Sequence, residues 1–217
     1  QYFIAAEQET AGACLTFIKN NVLYHEDELL TQETVPDVYK LFDQIVERTT
    51  AGSDGVIFMP WLYGERAPVE DHTVRGGFLN LSLRTTRKQM LRAVFEGVAY
   101  NSRWLLDAVE RFAGRRLDPI RFIGGGANSA VWSQIFADVL DRTIQQVEQP
   151  IHANARGAAL LAAASIGKIR FEEIGNRVNV AETYRPRGAN RTIYDEMFRE
   201  FTAAYKANRK IYSRLNG

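Results

Sequence analysis

The chain is nearly empty of the residues that build metal centres and covalent staples. It has one cysteine, Cys14, so an intramolecular disulfide is excluded. Cys14 lies in an apolar helical pattern and reads as a small core residue. Three scattered histidines, His25, His72 and His152, form no HExxH or Cys/His arrangement, and no structural metal is expected. No apolar run approaches the roughly 18 residues of a membrane-spanning helix. No Gly-x-x-x-x-Gly-Lys-Ser/Thr run occurs, which excludes a Walker P-loop. Neither sign of charge dominates: 27 Lys plus Arg against 26 Asp plus Glu leaves a net of +1. That balance argues against nucleic acid or an anionic membrane as the main partner. No signal peptide is expected, since Gln1-Tyr2-Phe3-Ile4 shows no basic region, and the sequence does not open on Met. The chain opens inside an expected strand, Tyr2 to Ala6, like the continuation of something upstream.

What is present is enough apolar material for a core, 46% of 217 residues. The composition is that of a soluble, cytoplasmic α/β protein. A helix follows Gly12, with Leu15, Ile18, Val22 and Leu23 as its stripe and Asn20-Asn21 at its end. Residues 24–35 are polar and read as loop. Pro36 suits the first turn of a second helix that buries Val38, Leu41, Phe42, Ile45 and Val46. Val56 to Met59 reads as a buried strand, leading into the loop Pro60 to Pro68. The simplest reading of that loop pins it by Trp61 and Tyr63, with Glu65 and Arg66 paired or solvated. The other reading is functional, since loops on a rigid scaffold often carry function. Phe78 to Leu81 makes a short strand. Thr85 or Thr86 caps the longest helix, which runs to about Gly114 and spans roughly 40 Å. Its expected inner face is Met90, Val94, Gly97, Val98, Asn101, Leu105, Ala108 and Phe112. Gly97 within it suggests close packing against a neighbour.

Further on, Ile120, Phe122 and Ile123 form a strand that ends in Gly124-Gly125-Gly126. A helix to about Leu140 follows, capped by Ser129 or Asn128. Glycines at such a turn let a ligand approach the backbone, and the helix start suits a phosphate. An ordinary tight connection explains the same residues. Thr143 to Val147 reads as a strand, Arg156 to Ala164 as a helix of small residues stopped by Gly167. A short helix and an extended piece are expected between Phe171 and Pro186. An amphipathic helix from about Thr192 to Leu215 closes the chain, its aromatic stripe assigned to the core. This order fits one layered α/β domain over 1–217. Gly124 and Gly126 also fit part of a dinucleotide-binding fingerprint, with Glu148 as the acidic residue, but Ser129 stands at its third glycine.

Several segments taken together resemble the second half of the FGGY carbohydrate kinases. They are Gly64-Glu65-Arg66-Ala67-Pro68, then Arg75-Gly76-Gly77-Phe78-Leu79-Asn80-Leu81, then Arg92-Ala93 with Glu96-Gly97-Val98-Ala99. Gly124 to Ala127 with Trp132, Gln134, Ala137 and Asp138, and the helix from Ala155 to Gly167, complete the match. The resemblance implies a ribonuclease H-like, actin-like ATPase domain: a mixed sheet flanked by helices, with a long central helix and a C-terminal amphipathic one. It also implies one half of a two-domain kinase that moves the γ-phosphoryl group of ATP to a sugar hydroxyl, with Mg²⁺ assisting. Within that family the chain resembles the xylulokinases, and gluconate, ribulose and glycerol kinases share the same plan.

Carried onto this chain, the resemblance puts Gly12 near the phosphates, and Thr16 where relatives often have Gln. Gly125 and Gly126 would hold the adenosine end. Ala130 stands where some relatives have Asn, and Asn128 is a candidate substitute. Asn80 replaces a usual glycine. The sugar-binding N-terminal domain, with the general base and most sugar contacts, matches no segment here, and no catalytic residue or metal ligand is assigned. The expected partners are that domain, ATP or ADP and a xylulose-like sugar, and the chain alone is expected to be inactive. Self-association, a homodimer being one form of it, is expected of an isolated half. Gly126→Val is expected to abolish nucleotide binding and spare most of the fold. The alternatives are a regulatory module that kept the fold, and an NAD-binding protein.

Overall fold

Val56 to Met59 is apolar at every position, and β1 (Ile57–Met59) is buried throughout. It pairs antiparallel with β2 (Gly77–Leu79), Phe58 facing Phe78 across the ladder. The computed structural model describes residues 5–22 and 37–217. The strand expected over Tyr2–Ala6 falls mostly outside these residues, and described Ala5 and Ala6 belong to no strand. Leu23, the loop over 24–35 and Pro36 also lie outside them.

β2 stops at Asn80, whose φ is +65° and whose side chain donates to the Gly55 carbonyl at 3.1 Å. Asparagine tolerates this left-handed backbone better than other residues with a Cβ. That is why asparagine can stand at this turn.

The helix α3 (Arg87–Ala113) begins at a capping box, in which the Thr86 N–H donates to the Gln89 side chain at 3.0 Å. From Leu91 to Asn101 every residue is buried, so its middle is enclosed on all sides. Gly97 meets β1: a methyl group there would stand 3.0 Å from the Phe58 carbonyl carbon and overlap its oxygen. Only hydrogen fits. At the far end the expected inner face fails, and Phe112 is 76% exposed. The helix has by then run past its neighbours.

Two short helices precede this spine, α1 (Gly12–Asn21) and α2 (Val38–Glu47). Cys14, Leu15 and Ile18 bury α1, and Val38, Phe42 and Val46 bury α2. Leu41, assigned to the buried face, is exposed instead. Burial of Cys14 pushes its thiol up to about 11, despite a hydrogen bond with Thr10, so it stays a neutral core thiol.

The second sheet holds β3 (Ile120–Phe122), β4 (Ile144–Val147) and β5 (Val180–Tyr184). β4 is central, parallel to β3 and antiparallel to β5. The helix α4 (Ala130–Leu140) packs between this sheet and α3, and Trp132 donates its indole N–H to the Phe95 carbonyl at 3.0 Å. The helix α5 (Ala153–Ser165) has no buried residue. The last helix, α6 (Arg191–Asn216), inserts Tyr194, Met197, Phe201 and Tyr205 into the core, and the Phe201 ring lies 5.2 Å from that of Trp61.

Two glycine substitutions should separate packing from helix propensity. Gly97→Ala should destabilise the protein by about 1–3 kcal/mol through overpacking. Gly157→Ala, where nothing lies within 4 Å of the new methyl group, should stabilise it by about 0.5–1 kcal/mol. The midpoints of urea unfolding measure both, and equal shifts would exclude the packing assigned to Gly97.

Candidate functional site

Three consecutive glycines after β3 meet three different physical demands. Gly124 has φ +86° and ψ −177°, a conformation effectively reserved for glycine, and its N–H donates to the Pro150 carbonyl at 2.9 Å. Gly125 faces open space: nothing would touch a Cβ there within 4 Å. A Cβ at Gly126 would stand 2.9 Å from the ring of Trp132. Residues 125–128 form a 3-10 turn rather than leading straight into α4. Ser129 then caps α4, accepting from the Trp132 N–H at 3.0 Å.

The turn faces α1 and α2 across a cleft of about 500 Å³. Gly12, Thr16, Gly125, Gly126 and Asn128 all line it. Ala130 does not; it lines a separate, more polar cavity with Glu47, Gln134 and Arg187. The reason is the turn, which ends at Ser129 and leaves Ala130 as the first helical residue on the other side. Gly12 opens α1 and lines the cleft, and Ala11 before it offers no side-chain cap, so the helix start carries only its backbone N–H groups. The Thr16 hydroxyl lies 3.2 Å from that of Tyr39 and ties α1 to α2.

The wall supplied by α2 was invisible to local sequence reading. Asp37, Tyr39, Lys40 and Asp43 line the cleft, and Ser129 Oγ donates to Asp43 Oδ1 at 2.7 Å. Their spacing is that of a helix's polar face, which by itself reads as solvated surface. Contacts made at distance mark the site: that of Asp43 with Ser129, 86 residues away in sequence, and that of Tyr39 with Thr16.

The loop after β1 has a definite task. Glu65 is buried and accepts from the N–H groups of Glu9 at 2.8 Å and Arg66 at 2.9 Å, and from Asn101 Nδ2 at 2.6 Å. Asn101 in turn accepts from the Trp61 indole at 3.0 Å. Arg66 pairs with Glu7 and Glu9. The loop therefore fastens the segment that delivers Gly12 to the cleft. Trp61 pins it as expected, whereas Tyr63 is 77% exposed and pins nothing.

Asp54, Asp71 and Asp138 are all engaged away from the cleft. Asp54 bonds Thr50 and Gln89, and Asp71 bonds Thr73 and Tyr205. Asp138 holds Arg187 and Asn190. Among the described residues no group of three or more His, Cys, Asp or Glu is placed to hold a metal ion. Among them, too, no helix is long and apolar enough to cross a membrane.

A mixed α/β domain with a long central helix, built around a cleft between helix starts and a glycine turn, defines an actin-like ATPase fold. The model of the FGGY family of carbohydrate kinases, C-terminal domain, matches residues 1–166, and the chain belongs to that family. A xylulose kinase of Staphylococcus epidermidis is 33% identical over 76% of this chain and 33% of its own length. A gluconokinase of Bacillus subtilis is 31% identical over 85% of this chain and 35% of its own. The crystal structure of xylulose kinase from Rhodospirillum rubrum superposes with a TM-score of 0.77 at 29% identity, covering 95% of this chain and 40% of that one. The chain thus spans about a third of the length of the curated relatives it matches. The glycines following β3 belong to a kinase domain and not to a dinucleotide-binding fold.

The buried carboxyl of Glu65 sets a pH test. Burial raises its pKa above the usual carboxylate range, partly opposed by the hydrogen bonds from Glu9, Asn101, Arg66 and Ala67. The folded state therefore binds this proton more tightly than the unfolded state. Its contribution to stability should fall as pH rises from the ordinary glutamate value through the raised one. Subtracting the stability profile of Glu65→Gln from that of the wild type isolates this slope. A difference that is flat, or rises with pH, excludes the assignment.

Proposed function

We propose that this chain is the ATP-binding half of a sugar kinase, with a xylulose-like substrate. The carrying observation is the single cleft that joins Gly12 at the head of α1 to Gly125 and Gly126. The phosphates lie at the open start of α1, where N–H groups and the helix dipole favour negative charge. The adenosine end lies along the glycine turn, near Thr16 and Asn128. Relatives named xylulose kinase support the choice of sugar.

In this reading a sugar hydroxyl attacks the γ-phosphorus in line and ADP departs. Catalysis is then positioning and charge stabilisation. This chain orients the nucleotide. The base and the sugar contacts come from an N-terminal sugar-binding domain. Mg²⁺ would be carried by the nucleotide and that domain, and would there neutralise phosphate charge. The reaction belongs in the cytoplasm, where ATP is abundant. An apolar surface suits the partner domain: α5 buries nothing, and its Leu161, with Ile151, Ile166 and Phe171 flanking the helix in sequence, is exposed. The chain alone should self-associate through it, and Leu161→Lys should lower the apparent mass in sedimentation. An unchanged mass would exclude that surface.

Calorimetry with ADP tests the site. The wild-type chain should bind ADP weakly and show no sugar-dependent ADP release from ATP. Gly125→Val should abolish binding at unchanged melting temperature, because its side chain enters the open cleft. Gly126→Val, expected from sequence to spare the fold, should instead lower the melting temperature by driving into Trp132. Unchanged ADP affinity in Gly125→Val would remove the nucleotide from this cleft. Turnover by the chain alone would overturn the division of labour.

A further inference from the structure

The α2 wall of the cleft has a chemistry that the phosphate and glycine contacts do not use. Asp43 is half-buried, and its Oδ1 accepts from Ser129 Oγ at 2.7 Å. The same Oγ accepts the Trp132 N–H at 3.0 Å, so the carboxylate is fixed relative to the glycine turn. Among the described residues no other side chain pairs with it. Burial raises its proton affinity and the Ser129 bond lowers it, while the nearby charges of Asp37 and Glu47 raise it again. An ionised carboxylate is acceptor-only, and a partly desolvated one gains most from a fixed donor. Leu15, Tyr39, Phe95 and Trp132 complete the lining. Apolar and aromatic walls with a few placed polar groups, Asp43 held fixed among them, are what a flat heterocycle requires.

With the nucleotide placed in this cleft, as the proposed function requires, we propose that Asp43 reads the purine base. Its second oxygen accepts a hydrogen bond from the exocyclic amino group of adenine. Guanine and hypoxanthine carry a carbonyl oxygen at that place, an acceptor facing an acceptor. Asp43 is thus a specificity-determining residue that favours adenine nucleotides. Ser129 is its positioning residue.

The test compares ADP, GDP and IDP by calorimetry on the full chain. The wild type should bind ADP at least about tenfold more tightly than GDP or IDP, the scale of discrimination by one placed hydrogen bond. Asp43→Asn offers an amide donor, and should narrow or reverse the ADP-to-IDP ratio at unchanged melting temperature. Asp43→Ala should bring ADP affinity down to that of IDP. Equal binding of the three nucleotides by the wild type, or an unchanged ratio in Asp43→Asn, overturns this assignment and leaves the nucleotide cleft standing. Failure of the wild type to bind any of the three overturns both.

Discussion

The buried ion pair of Arg92 and Glu96 decides where the cleft's outer wall stands. Arg92 Nε meets Glu96 Oε1 at 2.7 Å, with both side chains almost wholly out of water. Arg92 also donates to the Val46 and Thr49 carbonyls, at 2.9 and 2.7 Å, one in the last turn of α2 and one just beyond it. Glu96 accepts from the Gly52 N–H, the Ser53 hydroxyl and the Tyr194 hydroxyl. Desolvating two ions offsets much of their attraction, so the pair by itself adds little net stability. Losing one partner differs, because the other charge would be left buried at a cost of about 3–5 kcal/mol. The two residues are therefore dispensable together more readily than singly. Their bonds fix where α2, the turn at 52–53, α3 and α6 meet.

The glycine turn shows how one residue type can meet unlike constraints at adjacent positions. Gly124 is required by its backbone angles, Gly126 by the indole beside it, and Gly125 by neither. Open space at Gly125 is the only one of the three demands that a ligand would explain. A triplet that reads as a single phosphate cradle thus divides into one turn, one packing contact and one approach point. Much of what makes the motif recognisable is structural.

Local patterning made most of the fold legible. The spine helix, its cap at Thr86, the packing at Gly97 and the aromatic core face of α6 all follow from spacing and propensity. Ordered short motifs made the family legible. What failed was decided at distance. Phe112 and Leu41 fit their apolar stripes yet stay exposed. Ala130 follows the glycines in sequence but turns to another cavity. The α2 side chains become part of the cleft through Ser129 and Thr16, and no pattern within α2 announces those contacts. Glu65 and Arg66 read as a surface pair, although Glu65 is buried by the return of residues near Glu9.

All three walls of the cleft are set by α3, which itself contributes little beyond Phe95 to the lining. Arg92 holds α2 by its carbonyls. The Phe95 carbonyl holds Trp132, against which Gly126 is packed. Asn101 holds Glu65, which holds the Glu9 N–H just ahead of α1. These residues lie within three turns of one helix, and Gly97 among them fixes the depth of that helix against β1. A displacement of α3 would move the three walls together and keep their spacing. A loss at one of the anchors would move one wall alone. The spacing of the cleft is therefore governed more by polar anchors within the core than by the residues that face a ligand.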